Sequence, residues 1–150
     1  MLLATHLIIT PRERIITICR DLANAVESAD LSAIGRHLAA DFEAADLDRS
    51  EFLERVERTL TRFDVIEPHL RKLDVVFPGD GVWHWSATGA TVTFNVLCRI
   101  DSTEGYVDRL PSRWRLTLRK RRDRWEATKV ETLPVPPLYA RDVRELLERR

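Results

Sequence analysis

The chain has 150 residues, 44% apolar and 32% charged, enough for one domain that buries its core without disulfides or a structural metal. Its 24 basic and 24 acidic residues cancel, so no global field draws the molecule to nucleic acid or to a membrane surface, and the balance is far from that of a disordered chain. The two cysteines, Cys19 and Cys98, sit inside apolar patterns on different elements and read as reduced core thiols.

In chain order, the opening MLLATHLII is apolar for only a few residues, has no basic segment before it and runs into Thr10-Pro11. It resembles neither a signal peptide nor a membrane span, and with the reduced thiols it predicts a cytoplasmic protein. Thr10-Pro11-Arg12-Glu13 has the form of a capping box, with proline in the first helical turn. Ile15, Ile18, Cys19, Leu22 and Val26 then place one apolar stripe on a helix ending near Ser28. Asp30 caps a second, shorter helix carrying Leu31, Ile34 and Leu38. Asp48-Arg49-Ser50-Glu51 repeats the capping logic, and Phe52, Leu53, Val56, Leu60 and Phe63 give a third helix its apolar face.

From Val65 the period changes to that of strands, with turn signals at Pro78 to Gly81, Gly89, Ser102 to Gly105 and Arg122-Asp123. Phe94, Val96, Cys98 and Ile100 alternate with polar neighbours, as do Trp114, Leu116 and Leu118, so each strand has one face on a core. Arg113 to Leu133, RWRLTLRKRRDRWEATKVETL, reads as two strands joined by a tight turn, each opening on a tryptophan. The PVPP run from Pro134 to Pro137 stops the last strand, and residues 138–150 form a short amphipathic helix appended to a domain over residues 1–137. The expected class is α+β: three N-terminal helices followed by an antiparallel sheet.

The order of these elements, with ADLSAIGRHLAADF (Ala29 to Phe42) and DRWEATKVE (Asp123 to Glu131), resembles the nuclear transport factor 2-like superfamily over about residues 12–133. The resemblance implies a curved antiparallel sheet wrapped around the helices as a cone with an apolar pocket, a homodimer, and a range of functions from ketosteroid isomerase, polyketide cyclase, scytalone dehydratase and limonene epoxide hydrolase to association without chemistry. It implies His37, Phe42, Phe94, Trp114 and Trp125 as pocket-lining residues. Asp46 falls at about the spacing of the isomerase general base, but the position of the partner tyrosine is near Leu22. Arg99-Ile100-Asp101 resembles the Arg-x-Asp of limonene epoxide hydrolase, yet its charged pair has the parity opposite to Phe94, Val96 and Cys98 and reads as a surface pair.

Lys129 and Glu131 share strand parity with Trp125 and Ala127. Either they face the cone as a coupled acid–base pair, or the strand leaves the core after Ala127 and both reach solvent. His6, His37, His69 and His84 stand singly, so no metal site is indicated, and without a glycine-rich phosphate loop no cofactor is expected. Trp83-His84-Trp85 suits core or interface packing. Eight of the sixteen residues from Arg109 to Arg124 are basic, but the tryptophans point inward, so a solvated strand face is expected rather than a nucleic-acid surface. The leading expectation is a protein that binds a small apolar ligand or associates with itself without catalysis. The alternative is a cofactor-independent isomerase, lyase or hydrolase using Asp46, Lys129 and Glu131.

Overall fold

In the computed structural model, which describes residues 9–63, 65–78, 87–101 and 107–134, the capping box opens helix α1, Pro11–Glu27. The Thr10 N–H donates to Glu13 Oε2 at 2.8 Å and the Glu13 N–H donates to Thr10 Oγ1 at 3.2 Å, satisfying two amides that have no partner within the helix. After Ser28 the chain reverses through Ala29, whose φ of 53° is in the left-handed region. Asp30 accepts from the Ala33 N–H at 3.1 Å and starts helix α2, Leu31–Arg36.

The second helix is shorter than its apolar spacing predicts. Leu38 does not extend it but opens strand β1, Leu38–Ala44, which a turn through Ala45 (φ 55°) joins to the short β2, Leu47–Asp48. Asp48 then accepts from the Glu51 N–H at 2.9 Å and caps helix α3, Arg49–Arg62. Arg49 reaches back from α3 to donate to the Gly35 carbonyl at 2.8 Å. A Cβ on Gly35 would stand 3.1 Å from that guanidinium, so a larger residue there would require Arg49 to shift by a few tenths of an ångström. Phe52, Leu53, Val56 and Leu60 pack on the core as expected but stay half-buried, and Phe63 ends the helix in extended conformation.

Four long strands follow: β3 (Val65–Val76), β4 (Gly89–Asp101), β5 (Val107–Arg121) and β6 (Arg124–Leu133). The sheet order is β2-β1-β6-β5-β4-β3. β3 to β6 are antiparallel, but β1 runs parallel to β6, so the curved sheet is mixed rather than wholly antiparallel. Of the two strand prolines, Pro68 is on the edge strand β3, and Pro111 precedes the first β5 residue paired with β6, Arg113. The expected helix over residues 138–150, Trp83-His84-Trp85 and the expected turn at Ser102 to Gly105 lie outside the described residues.

α1 lies across β3, and α3 rests on β1 and β2. The predicted alternation places Val92, Leu116, Leu118 and Ala127 on the helix-covered face, all essentially inaccessible to water. One irregularity keeps β3 compatible with that face. Arg71 opposes Asn95 and Asp74 opposes Thr93, so Lys72 and Leu73 both lie across from Phe94, with Lys72 at φ 54°. This bulge shifts the parity by one, so that Val75 is buried while Lys72 and Asp74 are exposed.

Candidate functional site

Between the helices and the sheet lies a cavity of about 280 Å³. α1 contributes Cys19, Leu22, Ala23 and Val26, which recur at three- and four-residue steps and therefore share one side of the helix. Ile34 of α2, Leu38 and Phe42 of β1, and Phe52 and Val56 of α3 close one side. From the sheet come Pro68 and Leu70, then Phe94, Val96 and Cys98, then Ser112, Trp114 and Leu116, and finally Val130. Phe42 and Phe52 meet with ring centroids 5.0 Å apart at 52°, a tilted aromatic pair that braces β1 against α3.

No acidic, basic, imidazole or phenol side chain lies among the described residues of this wall. Its polar atoms belong to Ser112, Trp114 and the two thiols. The Trp114 Nε1–H donates to Ser112 Oγ at 2.7 Å. Burial pushes the Cys19 thiol up to about 12 and raises that of Cys98 as well, so both stay protonated and poorly nucleophilic at neutral pH.

Phe42, Phe94 and Trp114 line this cavity, whereas His37 and Trp125 do not. These two meet at a separate cleft beside Arg14, Thr17, Ile18, Asp123 and Arg124. Trp125 is 3% exposed and packs edge-on against Phe77, with centroids 6.2 Å apart, so it is a core residue. His37 ends α2, and its carbonyl accepts from the Ala127 N–H at 2.8 Å, tying the helix to β6. Burial lowers the His37 imidazole below its usual value, against the opposing pull of the Asp21 carboxylate.

Asp46 is exposed in the turn between β1 and β2 and lines no part of the cavity. Lys129 and Glu131 also point away from it, for a reason that strand parity alone conceals. In the β5–β6 ladder Leu118 opposes Ala127 and Thr117 opposes Lys129, which leaves Thr128 as an extra residue. That bulge shifts the parity beyond Ala127, sending Val130 to the cavity and Lys129 and Glu131 to the outer face. There Lys129 Nζ lies 3.0 Å from Glu131 Oε1, and Arg115 lies 3.5 Å from the other oxygen. The Lys129 ammonium, first, and then Arg115 hold the Glu131 carboxyl below its ordinary value. On the same face Arg119 grips Asp41 through two bonds of 3.0 and 2.9 Å. Arg99 is exposed and pairs with Glu67 at 3.8 Å.

The wall residues that sequence spacing leaves unassigned are Ala23, Pro68, Leu70, Ser112 and Val130. Ser112 carries a signal in retrospect, since it stands two residues before Trp114 on the same strand face.

The arrangement of elements is that of known structures. A candidate scytalone dehydratase from Novosphingobium aromaticivorans is 17% identical, with 82% of this chain and 84% of that one superposed at a TM-score of 0.68. A candidate dehydratase of the NTF2-like family from Streptomyces avermitilis is 14% identical, over 83% of this chain and 97% of that one, at 0.64. A candidate calcium/calmodulin-dependent protein kinase II association domain from Xanthomonas campestris is 12% identical, over 85% and 93%, at 0.66. No protein-family model matches the sequence, and neither does any curated protein. At these identities the likeness establishes the nuclear transport factor 2-like fold.

Proposed function

We propose that this nuclear transport factor 2-like cone is a binding protein for a small, largely apolar molecule held in the cavity between α1, α3 and β4–β5. The supporting observation is a cavity of about 280 Å³ whose described walls are apolar apart from one hydroxyl, one indole N–H and two protonated thiols. A cavity of about 150 Å³ lined by Leu, Ile and Phe stays dry and admits benzene. The present one has room for about two fused rings. A dehydratase-like reaction, which the names of two structural neighbours suggest, would need an acid or base within reach of the substrate, and the described wall supplies neither.

Naphthalene is a suitable first probe. By isothermal titration it should bind with a dissociation constant of roughly 10–500 µM, the range for a ligand of this size without charge contacts. Val56→Trp, which extends an indole from α3 into the cavity, should abolish the heat of binding while the variant still unfolds cooperatively. Undiminished binding by that variant, or no binding by the wild-type chain, would overturn the assignment.

Association is a second element of the reading, favoured by the structural likeness to a candidate association domain. On this reading the chain is a homodimer, and light scattering should return twice the mass of one chain. A monomeric mass at micromolar concentration would refute it.

A further inference from the structure

Ser112 and Trp114 stand two residues apart on β5, hence on one face of the strand, and both line the cavity. An indole nitrogen can only donate, so the 2.7 Å contact has a definite direction: Trp114 Nε1–H gives and Ser112 Oγ receives. The serine hydroxyl keeps its own proton. Among the described residues no group accepts it, because the rest of the wall is aliphatic, aromatic or thiol. Receiving the indole hydrogen bond also draws electron density from Oγ and makes the hydroxyl a better donor.

Ser112 is half-buried, and a ligand that fills the cavity would shut water off from its hydroxyl; a donor then left without an acceptor is costly, whereas an oxygen with a spare lone pair is tolerated more readily. The pair therefore asks for an acceptor rather than a second donor. Equally, the described wall offers no cation to a carboxylate and no anion to an ammonium group, and an unpaired charge would not enter. Placed together, these features describe the ligand from the protein's side.

We propose that Ser112, oriented by Trp114, reads one hydrogen-bond acceptor on an otherwise apolar and uncharged ligand of about two fused rings, such as an aryl ketone, ester or cyclic ether. Ser112 is then a specificity-determining residue and Trp114 its positioning residue. The inference rests on the binding role proposed above for the same cavity. It accounts for a hydroxyl–indole pair on an otherwise apolar wall.

The test uses two probes of the same skeleton, 2-acetylnaphthalene and 2-isopropenylnaphthalene, in which a carbonyl oxygen is exchanged for a methylene group. Titrated into the full chain, the ketone should bind about tenfold more tightly, the value of one hydrogen bond to a group otherwise unpaired. In a Trp114→Phe background, where no indole can act as a substitute donor, the preference should remain at about threefold or more. Adding Ser112→Ala to that background should bring it to about onefold or below. The carbonyl stretch of the ketone bound to the wild-type chain should lie below its frequency in hexane, a reading that requires no variant to fold. Equal binding of the two probes, a hexane-like stretch, or a ketone preference that survives the double substitution would each overturn the assignment of Ser112. If the hydrocarbon binds without discrimination, only this inference falls; if neither probe binds, the cavity-binding role falls with it.

Discussion

Replacing Trp125 by alanine should lower the free energy of unfolding by about 3–5 kcal/mol, the usual cost of deleting a large aromatic side chain from a packed core. Trp125 is 3% exposed, and its neighbour on the same face, Ala127, is fully buried. The indole packs edge-on against Phe77 and, with Ile18 of α1, lines one cleft. Little relaxation can close the resulting void, because the surrounding groups belong to a sheet and a capped helix. Urea denaturation of the two proteins measures the difference directly. A loss below about 1.5 kcal/mol would mean that the indole is peripheral.

Val130→Glu should destabilise the protein by about 2–4 kcal/mol at pH 7, while Glu131→Gln, one residue on, should move the thermal midpoint by no more than about 2 °C. The contrast follows from the extra residue at Thr128, which turns Val130 to the cavity and Glu131 to the outer face. A carboxyl at position 130 would face a wall without cations, and burial would raise its pKa in the folded state above the unfolded value of about 4.3. The folded state then binds more protons, so the penalty grows as pH rises from about 4 through the raised folded pKa, and shrinks on acidification. If β6 were regular beyond Ala127, position 130 would face solvent, and Val130→Glu would be harmless. Denaturation of Val130→Glu at pH 4.5 and pH 7.5 separates the two geometries.

The bulge also decides which side chains of β6 reach the cavity. Trp114 and Phe94 keep the parity that their strands advertise, and both line the cavity because β4 and β5 run in unbroken register from Gly89–Arg119 to Asp101–Val107. Lys129 and Glu131 have the parity of Trp125 only when counted along an ideal strand. One unpaired residue removes them from the interior, where two charges would have needed partners, and leaves them as a half-exposed ion pair. His37 and Phe42 lie five residues apart in the segment that carries the family resemblance, yet β1 delivers Phe42 to the cavity while His37 is held at the end of α2.

The local part of this protein was determined by the sequence itself. Thr10, Asp30 and Asp48 cap their helices through bonds to amides three residues away, so short-range chemistry suffices to set those starts. The Arg122-Asp123 turn and the alternation of Trp114, Leu116 and Leu118 are equally local. What only the tertiary structure decided is non-local. Leu38 to Ala44 became a strand because β6 offers its edge in parallel, although Leu38 continues the spacing of α2. The bulges in β3 and β6 reset which side chains face inward, since register is settled by the best burial of both partner strands together. The cavity, and with it the placement of Ser112 beside Trp114, exists only where helices and sheet are brought together from distant parts of the chain.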